Sequence, residues 1–100
     1  MKLNILILQE ILDIAIANDE LGFMETDLIA VSVRDKDELI FHLDYLTDRG
    51  FIIGEFIPIT FTDLKISSQS IRFIRGKITQ RGKEYLTGLK TQQSKLTITA

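Results

Sequence analysis

Three aspartates at helical spacing come nearest, in this chain, to a cation-binding arrangement. Asp37, Asp44 and Asp48 lie near one face of the helix that the sequence predicts over residues 35–49. Carboxylates placed in this way could act as a pair or bind a divalent cation, but no glycine-rich calcium loop or converging ligand set accompanies them. We therefore interpret them as a solvated acidic helix face and expect no metal site.

Residues for other kinds of catalysis are equally sparse. His42 is the only histidine and the chain contains no cysteine, which leaves no set of imidazole or thiolate ligands. The serines within residues 67–70 have no nearby base, and Gly76 and Gly82 do not form a phosphate-binding loop. We expect a hydrogen-bonded His42 at the boundary of the core, no enzymatic activity, no cofactor and no small-molecule substrate.

The charged residues are divided unevenly along the chain. The net charge is −2, but residues 1–63 hold 13 acidic and 4 basic side chains, whereas residues 64–100 hold 1 acidic and 8 basic side chains. This polarity favours different partners for the two halves, or pairing between them within one molecule or between two copies. The absence of cysteine fits a cytoplasmic location, which we expect.

A membrane partner is not expected, although residues 3–17 are rich in leucine and isoleucine. Asn4, Gln9, Glu10 and Asp13 interrupt this run, which is also shorter than the roughly 20 apolar residues that a bilayer requires. The composition, 45% hydrophobic and 26% charged, is typical of a globular domain. The run therefore predicts a core helix over residues 3–18.

The predicted first helix has more apolar surface than one core contact needs. Its apolar residues cover about 200°, roughly twice the width of a single core-facing stripe. Either the rest of a small domain surrounds the helix, or part of its surface forms a homodimer interface. For the homodimer we predict an interface of Ile5, Leu8, Leu12 and Ile16.

The central predicted helix carries signals at both of its ends. Leu39, Leu43 and Leu46 recur on one stripe, and Asp35 with Glu38 three residues later forms a start that resembles a capping box. Gly50 follows the last periodic residue, where a left-handed cap is favoured.

The flanking segments complete a mainly α fold with a β-hairpin wing, an α+β class in the order α-α-α-β-β-α. Residues 22–24 are extended, a short helix begins at Glu25 or Thr26, and residues 31–34 form a turn. Strand-forming residues follow Gly50 and return over residues 70–78, where alternation would place Arg72 and Arg75 on opposite faces. Thr79 caps a last helix that ends near residue 90. Residues 1–90 thus form the domain and residues 91–100 a polar, flexible tail.

Two phrases in this order resemble winged helix-turn-helix proteins. The first phrase is His42-Leu43-x-Tyr45-Leu46-x-x-x-Gly50-Phe51-Ile52, and the second is Ile78-Thr79-x-x-Gly82-x-x-Tyr85-Leu86. Together they resemble the small, uncharacterised winged-helix proteins of phages, prophages and plasmids of Gram-positive bacteria. The resemblance covers roughly residues 3–90. It implies a winged helix-turn-helix fold and a role in transcription regulation, and it brings no catalytic residue.

Duplex DNA is therefore the first expected partner. Five carboxylates within residues 35–49 oppose phosphate binding, so that only the start of this helix and the basic wing suit DNA. The predicted DNA-binding residues are Arg34, Lys36, Lys65, Arg72, Arg75, Lys77, Arg81 and Lys83.

A protein-binding role is the alternative. The outer face of the central helix combines acidic and aromatic residues, an arrangement that suits an adaptor or inhibitor of a host or phage protein. The residues of this alternative site are Asp37, Phe41, Asp44, Tyr45 and Asp48. Whether the two aromatic side chains are exposed, or covered by the wing, is left open by the sequence.

Overall fold

The amphipathic segments form helices that pack around one core, and the strand-forming segments between them form an antiparallel hairpin. A computed structural model describes residues 2–59 and 70–98. Within them the elements are α1 (Ile5–Ala17), a 3-10 turn (Glu25–Leu28), α2 (Lys36–Asp48), β1 (Ile52–Ile59), β2 (Ser70–Ile78) and α3 (Gln80–Ile98). The predicted α+β class with one hairpin is confirmed, but the second predicted helix is a single 3-10 turn.

A local hydrogen bond fixes the start of the 3-10 turn. The Asp27 carboxylate accepts from the Met24 N–H at 2.7 Å, as in a capping box, and Leu28 and Val31 are buried in the core. Just before the turn, Phe23 and Gly76 exchange two backbone hydrogen bonds of 2.8 and 2.9 Å, so that the predicted extended segment joins the edge of β2.

One face of helix α1 is buried by the rest of the domain, which corrects half of the predicted dimer interface, whereas Ile5 and Ile16 are 53% and 41% exposed. Leu8 and Leu12 are 1% and 0% exposed and belong to the same core cluster as Leu43 and Phe73. Because α2, α3 and β2 all contact α1, these two leucines are not available to a second copy. This part of the predicted interface is wrong.

The predicted caps of α2 are confirmed with one change of partner. Asp35 accepts from the Glu38 N–H at 2.9 Å, whereas the Glu38 carboxylate binds the Arg34 backbone instead of that of Asp35. At the other end Gly50 has a φ of 74°, as a left-handed cap requires. The Phe51 N–H donates to the Leu46 carbonyl at 2.9 Å, which closes a Schellman motif.

Helix α3 starts where it was predicted and ends later. The Gly82 N–H donates to the Thr79 hydroxyl at 3.0 Å, and the helix then continues to Ile98 instead of ending near residue 90. Two ion pairs join α3 to α1 and to the turn after α1: Lys90–Asp13 at 2.8 Å and Lys83–Asp19 at 2.7 Å. The continued helix includes most of the predicted tail. Among the described residues, no helix combines the length and the apolar character needed to cross a membrane.

The start of α3 is packed directly on Phe51, three residues after the end of α2. Gly82 lies so close to the Phe51 carbonyl that an added Cβ would overlap with it. The Thr79 N–H donates to the same carbonyl at 3.0 Å, and the Phe51 and Tyr85 rings stack at 4.2 Å. The two phrases that carry the sequence resemblance therefore form one contact.

We expect opposite effects from adding the same methyl group at two glycines of α3. Gly82→Ala should destabilise the fold by about 1–3 kcal/mol, because the backbone of Phe51 must move. Gly88→Ala should stabilise it by roughly 0.5–1 kcal/mol through helix propensity, since nothing lies within 4 Å of the added atom. Urea denaturation measures both, and equal effects of the two substitutions would contradict this packing.

Candidate nucleic-acid interface

Three of the predicted DNA-binding residues share the outer face of the hairpin. The inner face is buried through Ile52, Phe73 and Ile78, whereas Arg72, Arg75 and Lys77 are all exposed. We call these three cations the basic row. Their partners across the ladder are Ile57, Glu55 and Ile53, respectively.

A β-bulge brings the basic row together. Strict alternation would place Arg72 and Arg75 on opposite faces, as the sequence predicts. Glu55 pairs with Arg75 and Phe56 pairs with Phe73, so that Ile74 is an extra residue without a partner in the register. One inserted residue reverses the alternation, and the prediction for these two arginines is wrong for this reason.

A cleft lies between the 3-10 turn and β2. Its volume is about 480 Å³, and its lining consists of Met24, Glu25, Thr26, Ile29, Arg72, Phe73 and Ile74. Glu25 also lies 3.5 Å from the Lys36 ammonium. Arg72 therefore lines the same cleft as the ion-pair partner of Lys36, although the sequence assigned the two cations to different parts of a DNA interface.

Both predicted cations at the start of α2 are held by carboxylates. The Arg34 Nε lies 3.1 Å from Glu38, and its side chain is 74% exposed. Lys36 is also exposed beside Glu25. The cations are exposed although their carboxylates are less so, with 12% for Glu38 and 32% for Glu25. Ion pairs at a surface contribute roughly 0–1 kcal/mol each, so that a phosphate could replace the carboxylate as partner of the cation.

The remaining predicted DNA-binding residues do not join the basic row. Lys83 is paired with Asp19, and Arg81 lies over the Phe51 ring at 5.7 Å. Lys65 lies outside the described residues. The structure thus divides the predicted set into one group around the hairpin and α2, and another at the start of α3.

The alternative protein-binding face exposes its acidic residues fully but its aromatic residues only in part. Asp37, Asp44 and Asp48 are exposed. Phe41 and Tyr45 are only half-exposed: the Phe41 ring meets the edge of His42 at 5.3 Å, and the Arg49 guanidinium covers Tyr45 at 5.1 Å. Among the described residues no ion pair forms with these three aspartates.

His42 has a structural place deeper in the core than predicted. It is fully buried, with Nδ1 2.7 Å from the Glu38 carbonyl and Nε2 2.9 Å from the Asn4 amide nitrogen. Since the backbone N–H of Asn4 donates to Nε2, Nε2 accepts and Nδ1 carries the proton that it donates to the Glu38 carbonyl. His42 thereby ties α1 to α2. No group of three or more potential metal ligands occurs within the part of the chain that the structure describes.

Two side chains near these surfaces have shifted pKa values. The pKa of Glu38 is lowered, mainly because the Arg34 backbone N–H donates to its carboxylate; burial opposes this shift and the Arg34 guanidinium adds to it. Burial raises the pKa of the Tyr85 phenol. The charge of Tyr45 adds to this shift, and the Arg49 guanidinium opposes it.

Sequence reasoning missed the cleft. Met24, Ile29 and Ile74 line it, and none of them was a predicted site residue. The sequence holds no local signal for it, because the cleft arises from contact between the 3-10 turn and a strand that lies far along the chain. Comparison of the chain with protein-family models, with curated proteins and with solved structures gave no match.

The lowered pKa of Glu38 predicts that its contribution to the free energy of unfolding depends on pH. The folded state favours the charged carboxylate, so this contribution is present above the ordinary glutamate pKa and is lost as the pH falls through the lowered value. Glu38→Gln should therefore destabilise the protein at neutral pH, and by progressively less as the pH falls below the ordinary glutamate pKa. Urea denaturation at a series of pH values tests this, with Glu84→Gln on α3 as the exposed control. A difference that stays constant with pH would contradict it.

Proposed function

We propose that this chain is a winged helix-turn-helix protein that binds duplex DNA and regulates transcription in a mobile genetic element. In this proposal the 3-10 turn and α2 form the helix-turn-helix, and the hairpin is the wing. The observation that carries it is that Glu25, the ion-pair partner of Lys36, lines the same cleft as Arg72. This supports a binding surface to which the start of α2 and the wing both contribute cations.

The proposed binding mode uses the two ends of this surface differently. Arg34 and Lys36 enter the groove from the start of α2, where a recognition helix meets base edges. Arg72, Arg75 and Lys77 of the basic row neutralise phosphates, which gives affinity without sequence preference. On contact with DNA, phosphates replace Glu38 and Glu25 as partners of the first two cations.

The acidic side chains of α2 limit how deeply the helix can enter. Asp37 lies within the first turn beside Lys36, and Asp44 and Asp48 follow that turn. All three are exposed, so that a docking pose with the whole helix in the groove would bring carboxylates against phosphates. The proposal therefore assigns base contact to the first turn alone and most of the affinity to the wing. A regulator of this kind acts in the cytoplasm, as the composition suggests.

The second candidate function is binding of a host or phage protein through the acidic face of α2. This function is favoured by the exposed carboxylates of Asp37, Asp44 and Asp48, which form no ion pair among the described residues. The half-exposed Phe41 and Tyr45 would supply the edges of their rings and not whole anchors.

Neutralising the basic row should weaken DNA binding for all sequences alike. Loss of two phosphate contacts in Arg72→Gln/Arg75→Gln should lower the slope of log affinity against log salt by about 2. The measurement is fluorescence anisotropy with a random duplex between about 50 and 200 mM salt.

The matched control neutralises two cations of α3, Arg81→Gln/Lys83→Gln, and should leave the slope unchanged. No salt-dependent association of the unmodified protein would contradict DNA binding itself. An equal loss in the control would contradict the assignment of phosphate contacts to the wing.

A further inference from the structure

We infer that the outer face of the hairpin binds the acidic face of α2 from a second copy of the chain. The inference goes beyond DNA binding and does not rest on it. It uses the basic row, Arg72, Arg75 and Lys77, and an acidic stripe, which we define as Asp37, Asp44 and Asp48 with Phe41 between them.

The hairpin face is not built for phosphates alone, because aliphatic side chains alternate with its cations. Ile53 and Ile57 are 69% and 51% exposed and stand opposite Lys77 and Arg72. Glu55, also exposed, stands opposite Arg75, so that the face carries three cations and one carboxylate. Leu21 is 84% exposed, and the backbone beside it packs on the row, since a Cβ on Gly22 would lie 3.3 Å from Lys77 Cγ. A surface of cations with exposed aliphatic groups fits a partner that offers carboxylates together with apolar carbon.

The acidic stripe of α2 offers this chemistry on one helix face. Its members follow one another at intervals of four, three and four residues, which keeps them on one side of a helix. The three aspartates are exposed, and Phe41 between them is half-exposed. The stripe therefore combines carboxylates with part of an aromatic ring.

The spacing of charge on the two surfaces also corresponds. At the rise of an α-helix, Asp44 and Asp48 lie about 6 Å apart along the axis, and Asp37 and Asp44 about 10 Å. In the basic row, Lys77 and Arg75 lie about 7 Å apart, and Arg75 and Arg72 about 7–10 Å across the bulge. Each aspartate can thus approach one cation when the helix lies along the strand.

The helix α2 that binds the outer face of a hairpin must belong to another molecule. Leu43 and Leu46 anchor α2 in the core together with Ile52 of the inner face of the hairpin. The stripe of one molecule therefore cannot reach the outer face of its own hairpin. A net charge of only −2 adds little repulsion between copies.

Since the two surfaces differ, the contact is heterologous and joins copies head to tail or in a closed pair with two such contacts. Because it rests on exposed charges, it should weaken as salt is added. It would also cover the cations that the wing offers to DNA, so that self-association and DNA binding compete.

Charge exchange between the two surfaces tests the inference by sedimentation velocity without nucleic acid. One variant is Arg75→Glu/Lys77→Glu and the other is Asp44→Lys/Asp48→Lys. Each alone should associate about tenfold or more weakly than the unmodified protein at low salt, because like charges then meet. An equimolar mixture should associate again, since each variant supplies the surface that its partner has lost, and this recovery also shows that both are folded.

Ile5→Asp/Ile16→Asp changes exposed residues of α1 and serves as the control, with association expected to match the unmodified protein. A monomer at low salt over the accessible concentration range would overturn the inference. So would association that neither charge variant reduces, a mixture that fails to recover, or an association abolished by the α1 control.

Discussion

The carbonyl of Phe51 is the point at which α2, the hairpin and α3 are joined, and the positions of both candidate surfaces depend on it. The Thr79 N–H donates to it at 3.0 Å, and Gly82 packs against it where any side chain would overlap. The Thr79 hydroxyl donates to the neighbouring Gly50 carbonyl at 2.6 Å. The end of α2 and the first pair of the hairpin, Ile52 with Ile78, are thereby fixed together. The direction of the acidic stripe relative to the basic row follows from this contact.

What the sequence predicted well depends on neighbouring residues. The caps at Asp35 and Thr79, the left-handed Gly50 and the bounds of β2 each follow from local chemistry, and the structure agrees with them. What it could not predict depends on distant partners. The bulge at Ile74 occurs where Phe73 packs against Phe56 and Phe23, which are distant in the sequence, and the burial of Leu8 and Leu12 requires α3 and β2 in place. The composition of the basic row was therefore predictable, but its common face was not.

In the folded structure some of the unevenly distributed charges form ion pairs with one another and others do not. Asp13 and Asp19 neutralise Lys90 and Lys83 along the seam between α1 and α3. The basic row and the acidic stripe have no such partners among the described residues. The charges of these two surfaces are therefore free to form ion pairs with another molecule. DNA phosphates suit the first, a basic protein surface suits the second, and a second copy of the chain offers both at once.

The most direct test of the proposed function is to map amide chemical shifts by NMR as a random duplex is added at low salt. The DNA-binding account predicts changes at two separated segments, residues 34–37 at the start of α2 and residues 72–77 of β2, which grow together and diminish as salt is raised. Changes confined to α1 and α3, or no change at all, would contradict it.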